Sequence, residues 1–263
     1  MKKVSRTSRS SSKQIQTGKT PPTWKKTLLS NSIALAVAGL GASSAFAACP
    51  GTVTGAETTV CNLTGTDSAT INSGASIQVE GTRAIFVDGA NTNVTITNAG
   101  TVSASASDVN AIYVDGGFNG TIINTGTILG DGTDSVAGIY VESDFAAGST
   151  LTNSGTITGS AVGSESSPDA TGIDFGRDLL GAMTNEAGGL ISAVAEGSDA
   201  SAIGINVDYT LASTGSITNH GTISATATAS DSSASAYGIY IDDYLEGIIN
   251  NTGTIAATAT GAT

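Results

Sequence analysis

Thr121-Ile-Ile-Asn-Thr-Gly-Thr-Ile128, followed by Gly138-Ile-Tyr-Val-Glu142, decides the reading of this chain, because both phrases return along it in fixed alternation. The first returns as Asn98-Ala-Gly-Thr-Val102, Asn153-Ser-Gly-Thr-Ile157, Asn219-His-Gly-Thr-Ile223 and Asn251-Thr-Gly-Thr-Ile255, with looser copies from Asn72 and Asn185. The second returns as Ala84-Ile-Phe-Val-Asp88, Ala111-Ile-Tyr-Val-Asp115, Gly172-Ile-Asp-Phe-Gly176, Gly204-Ile-Asn-Val-Asp208 and Gly238-Ile-Tyr-Ile-Asp242. Neighbouring repeat asparagines lie 26 to 34 residues apart. Self-similarity at such a period marks a stacked architecture.

Each unit holds three short segments of period 2, the pattern of strands rather than helices. The first carries an apolar residue two positions before the Asn: Ile96, Ile122, Leu151, Met183, Ile217 and Ile249. The second carries Val102, Ile128, Ile157, Ile191, Ile223 and Ile255. The third is the Ile-x-Val phrase. Asn-x-Gly between the first two suits a tight turn with positive φ. Three strands per unit, apolar at matching positions, predict an all-β fold: a single-stranded parallel β-helix of about six to seven coils, with the Asn column as an amide ladder on its outside. One coil buries too few large side chains to offset the entropy of ordering itself, so stability comes from stacking and capped ends.

Cys49 to Ser73 matches the repeat poorly and is expected to form an N-terminal cap over 48–73, ahead of repeats over 74–263. Thr254–Thr263 begins a further coil and stops, so the natural protein is expected to continue, or this reading frame to be truncated.

The chain of 263 residues carries a net charge of −12, unevenly spread. Eight of its ten basic residues lie within the first 26 positions, and no acid precedes Glu57. The apolar run Leu28–Gly41 and then Ala45-Phe-Ala47 follow. A basic region, a short apolar core and a small-x-small site predict a signal peptide over 1–47, cleaved between Ala47 and Ala48. The apolar core is shorter than the about 20 residues of a membrane span. Beyond it, Arg83 and Arg177 face all 22 acidic residues, a balance of −20. Such a surface excludes nucleic acid as a partner. Cys49 and Cys61 both follow the cleavage point, and in an oxidising compartment a disulfide between them is expected.

His220, the one histidine, fills the variable slot of Asn-x-Gly and reads as a solvent-facing turn residue. Gly-x-Ser-x-Gly is absent, so no serine-hydrolase elbow is expected. Asp242-Asp243 beside Asn219-His220 faintly resembles β-helical polysaccharide hydrolases, whose paired carboxylates do acid–base work. Here the pair belongs to a repeat column, and the expectation is no catalytic residue, no cofactor and no dedicated metal site. Asp88, Asp115, Glu142, Asp208 and Asp242 share one repeat position, broken at Gly176. Carboxylates stacked about 4.8 Å apart repel. The column is either a weak Ca²⁺ site or a solvated acidic edge. A neighbouring column reads Phe86, Tyr113, Tyr140, Asp174, Asn206, Tyr240. It is either structural stacking or a contact strip for carbohydrate or protein. Ser/Ala/Asp-rich stretches at Gly159–Ala170, Ala195–Ala202 and Thr226–Ala236 are expected as projecting loops.

The long basic leader, the two repeat phrases and the acidic, Cys-poor, Ser/Thr/Gly-rich composition resemble the N-terminal passenger of a classical (monomeric) autotransporter of Gram-negative bacteria. The resemblance implies a β-helix carried to the cell surface or secreted through the outer membrane. It implies the translocation machinery and a C-terminal β-barrel as partners, and host surfaces or sister passengers as contacts. The barrel's series of roughly 10-residue membrane strands with aromatic girdles is not among these residues. The expected role is a structural stalk or adhesin scaffold without catalysis. The alternatives are coils that bind glycan, matrix or sister chains themselves and, more remotely, a polysaccharide-degrading enzyme.

Overall fold

The computed structural model describes residues 47–49, 51–88, 93–163 and 167–262, all within the compact unit Ser44–Thr263. The leader expected over 1–47 lies outside the described residues up to residue 46. Ala47–Ala48, the expected cleavage site, forms the first strand and pairs with Cys61-Asn62.

Among the described residues every regular element is a strand. Apart from the short parallel pair Thr210–Leu211 and Tyr244–Leu245, the strands form three eight-stranded parallel sheets, in which neighbouring strands are equivalents from successive units. We call sheet 1 the one built from the Ile-x-Val phrase, sheet 2 the one ending at the repeat Asn, and sheet 3 the one following the turn. Coil 4, for example, consists of Val109–Val114, Gly120–Asn124 and Thr127–Gly132. Register follows the repeat: Ile112 lies between Ile85 and Ile139, and Asn124 between Asn98 and Asn153. The fold is therefore the parallel β-helix that the repeats predicted.

It has eight coils rather than six or seven, because the segment expected as a cap is itself coiled. Thr52–Val53 and Ala56–Glu57 join sheets 2 and 3 as a short first coil. Cys61–Thr64, Ser68–Ile71 and Ser76–Val79 make the second. The Cys49–Cys61 disulfide is present and ties these two coils together. Coil spacing of about 4.8 Å makes the stack about 34 Å tall.

The inward columns form one continuous core. Ile96, Ile122, Leu151, Met183 and Ile217 from sheet 2, and Val102, Ile128, Ile157, Ile191 and Ile223 from sheet 3, are fully buried. A further inward column lies outside both repeat phrases. Phe118, Phe145, Leu179 and Leu211 lie in the connection between sheets 1 and 2, are fully buried, and bridge one another in parallel. The rings of Phe118 and Phe145 stack with centroids 5.3 Å apart. Each residue follows the acidic-column position by three (Asp115, Glu142, Gly176, Asp208), so the signal was there to find.

The asparagine column is inside, not outside. Asn98, Asn124, Asn153, Asn185 and Asn219 are buried, each two residues beyond an inward apolar residue and so on the same face. Each Nδ2 donates to the next Asn Oδ1 at 2.7–2.8 Å. Each also donates to a backbone carbonyl of the next coil at 3.0–3.1 Å. The ladder satisfies buried amides that would otherwise be costly. It begins at Asn98, because Ile71, not Asn72, pairs with Asn98.

Glycine in Asn-x-Gly serves close approach rather than positive φ. A Cβ on Gly126 would stand 2.1 Å from the Gly100 carbonyl oxygen, and one on Gly155 2.1 Å from that of Gly126. Among these turns φ is positive only in the two looser copies, at Gly74 and Gly188.

The stretches expected as loops are largely strand. Thr156–Val162 leads to Asp169–Phe175, Leu190–Gly197 to Ala200–Val207, and Thr222–Ala229 to Ala234–Ile241. Ala225, Ala227 and Ala229 point inward, with Thr226 and Thr228 between them. The extra residues of the longer repeats thus lengthen sheets 1 and 3, which meet across small buried alanines.

Candidate functional site

The outer face of sheet 1 gathers most of the chemistry. Its alternation breaks at one position in each coil. Ala111 and Ile112 both point inward, as do Gly138-Ile139, Gly172-Ile173 and Gly204-Ile205. The extra inward residue bends the strand as a bulge does. The bend is tight: a Cβ on Gly172 would meet the Gly204 oxygen at 2.6 Å. A furrow follows the bend along the stack. One cleft in it, of about 320 Å³, is lined by Asn110, Ser135, Tyr140, Thr171, Asp174 and Asp208, among others. The next, of about 250 Å³, shares Asn110 and Ser135 and adds Arg83, Asp108 and Tyr113.

The aromatic column is a ladder. Phe86 and Tyr113 stack with centroids 5.7 Å apart, and Tyr113 and Tyr140 lie 5.6 Å apart at a 31° tilt. Arg83 lies 4.3 Å from the Phe86 ring centre and 5.1 Å from that of Tyr113. Interior rings of such a ladder cover one another's faces, so through Tyr113 the column shows stacking. At Tyr140 the ladder stops, because the next coil carries Asp174 in its place.

The acidic column is not uniform. Tyr113 donates its hydroxyl to Glu142 Oε2 at 2.9 Å. Burial, then the bond to Glu142, pushes this phenol up to about 12. A hydrogen bond with Glu142, then burial, raises Asp115. Tyr240 donates to Asp242 at 2.8 Å, which raises its phenol. Gly176 breaks the column for a steric reason: a Cβ there would sit 3.2 Å from the Tyr140 hydroxyl and 2.9 Å from the Glu142 carbonyl oxygen. The next-coil carboxylate that Tyr113 finds in Glu142 is thus missing for Tyr140, whose own-coil Glu142 already accepts from Tyr113. The Tyr140 hydroxyl makes no protein hydrogen bond among the described residues. Burial and the carboxylates of Asp174, Glu142 and Asp208 raise its phenol.

Beyond Tyr140 lies a polar knot. Asn206, 8% exposed, donates through Nδ2 to Asp174 Oδ1 at 2.9 Å and to Asp208 Oδ1 at 2.6 Å. Its own Oδ1 is buried without a partner. Burial, then the Asp208 charge, pushes Asp174 up to about 7, against the lowering by Asn206. Burial also raises Asp169. The sequence showed Asp174 and Asn206 only as interruptions of the aromatic column. That they join Asp208 in one hydrogen-bonded group required the coil register.

The structure does not unite His220 with Asp242 and Asp243. His220 is exposed in the turn between sheets 2 and 3, its Nδ1 2.6 Å from Thr252 Oγ1, whereas the aspartates follow sheet 1. Among the described residues no group of three or more His, Cys, Asp or Glu is placed to hold a metal ion. No protein-family model, curated protein or solved structure matches this chain.

Proposed function

We propose that this chain is the surface-exposed passenger segment of an autotransporter-like protein, exported by its basic leader and acting as a structural stalk or adhesin scaffold without catalysis of its own. The observation that carries the reading is the unbroken register of three parallel sheets through eight coils, built from repeats with no large inserted domain. A solenoid of this kind grows by adding identical layers and presents a long surface. The −20 balance beyond the leader suits a soluble, extracellular surface, and the disulfide suits an oxidising compartment. An outer-membrane β-barrel and its translocation machinery are the export partners in this reading.

The test is where the coils stand on the cell that makes them. Antibodies against the folded coils are expected to label intact cells, and added protease to remove that label. Label reached only after the cells are broken would refute the surface role. Amino-terminal sequencing of the exported chain is expected to begin at Ala48.

A further inference from the structure

We propose that the furrow on sheet 1 binds a strand of uncharged, hydroxyl-rich polysaccharide, laid along the stack, with Tyr140, Asp174 and Asp208 as its principal contacts. The inference goes beyond the scaffold role, which requires no ligand.

Four observations converge on it. First, the two clefts adjoin and span coils 3 to 7, from Arg83 to Asp208, about 19 Å along the axis. A polar groove of that length along the stack suits an extended polymer. Second, its lining offers hydroxyls and an amide (Ser135, Thr171, Asn110) together with carboxyls (Asp174, Asp208). This is a set of donors and acceptors for sugar hydroxyls. Third, the Tyr140 hydroxyl lines the cleft without a protein hydrogen bond among the described residues, while Asn206, buried behind it, holds the Asp174 and Asp208 carboxylates in place. Fourth, Tyr140 ends the ring ladder, so its far face meets Asp174 rather than another ring. An aromatic face beside hydroxyl-binding groups is what a pyranose ring needs. With its carboxyl shifted to about 7, Asp174 offers both a donor and an acceptor near neutral pH.

Other occupants fit less well. Polyanions meet a surface balance of −20, in which Arg83 and Arg177 are the only cations beyond the leader. An added peptide strand has no edge to join, since the sheet 1 strands here are paired on both sides. Apolar anchors find no pocket, because Val109 and Val136 are buried in the core.

Affinity electrophoresis tests the proposal on the protein expressed from the full chain. The gels hold glucan, mannan or dextran as neutral probes and polygalacturonate as the anionic one. Retardation by at least one neutral polymer is expected, and none by polygalacturonate. Tyr140→Phe, which keeps the ring, and Asp208→Asn are each expected to weaken that retardation about tenfold, the equivalent of one hydrogen bond. Tyr244→Ser, an exposed ring outside the furrow, leaves it unchanged. Unaltered melting temperatures show that the variants fold. No retardation by any neutral polymer, retardation by polygalacturonate alone, or retardation that survives both furrow substitutions would overturn the proposal.

Discussion

Truncating one rung of the buried amide ladder, Asn153→Ala, measures what the ladder contributes. Asn153 accepts from Asn124 Nδ2 at 2.8 Å and donates to Asn185 Oδ1 at 2.8 Å, to the Leu190 carbonyl at 3.1 Å and to the Gly155 carbonyl at 3.2 Å. After truncation Asn124 Nδ2 keeps the Thr156 and Gly126 carbonyls. Asn185 Oδ1 loses its ladder donor in a fully buried place. One stranded buried acceptor costs about 1–3 kcal/mol, and the lost bonds add about 1 kcal/mol net, so the expected loss is about 3 kcal/mol. Asn251→Ala is the control: this rung is exposed, water replaces its bonds, and the loss stays below about 1 kcal/mol. Urea unfolding followed by far-ultraviolet circular dichroism gives both values. Amide exchange in coils 5 and 6 shows whether the loss is local, as stacked coils allow. Equal losses at the two positions, or a loss below about 1 kcal/mol at Asn153, would refute the reasoning.

Further outcomes follow from the same geometry. Asp174 has a folded-state value of about 7, above the 3.8 of an unperturbed carboxyl. The native state therefore keeps a proton that the unfolded chain releases, and this group's contribution to stability is full below about pH 4 and is lost as pH rises towards 7. Asp174→Asn is expected to flatten that decline in melting temperature and to stabilise the protein above pH 7; an unchanged slope contradicts this. Gly155→Ala, whose Cβ would lie 2.1 Å from the Gly126 carbonyl oxygen, is expected to cost at least about 2 kcal/mol in urea unfolding. Gly55→Ala, with nothing within 4 Å, should stay within about 0.5 kcal/mol. Phe145→Ala is expected to lose about 3–5 kcal/mol by the same assay, because its buried ring touches both Phe118 and Phe175.

Much of this fold is legible in the repeats themselves, and the parts that are not have physical causes. Ile122, Ile128 and Ile139 repeat at fixed places in phrases that repeat as wholes, so strand identity, parallel register and the inward columns followed directly. The Asn ladder followed too, but not its side: Asn124 shares the parity of Ile122, and amide chemistry suggested solvent where self-pairing permits burial. Phe118 and Phe145 were missed because they lie outside both phrases, in a connection without alternation. Ala225, Ala227 and Ala229 read as loop because alanine and serine carry little strand signal, yet small residues are what two closely packed sheets need. The site was least legible. Asp174, Asn206 and Asp208 lie on two different coils, and only register places Asp174 beside Asn206. The Tyr140 hydroxyl above Gly176 explains a gap that the sequence showed only as a missing acid.

The central claim is that each sequence repeat is one coil stacked directly on the next. Paired cysteines in the variable turn slot test it most directly, since a disulfide needs Cα atoms within about 7 Å. Thr125 and Ser154 follow the directly paired Asn124 and Asn153, one coil spacing apart; Glu186 lies one coil further on. The account predicts that Thr125→Cys with Ser154→Cys cross-links under mild oxidation, while Thr125→Cys with Glu186→Cys does not. Cross-linking of the second pair, or failure of the first in a folded protein, would contradict it.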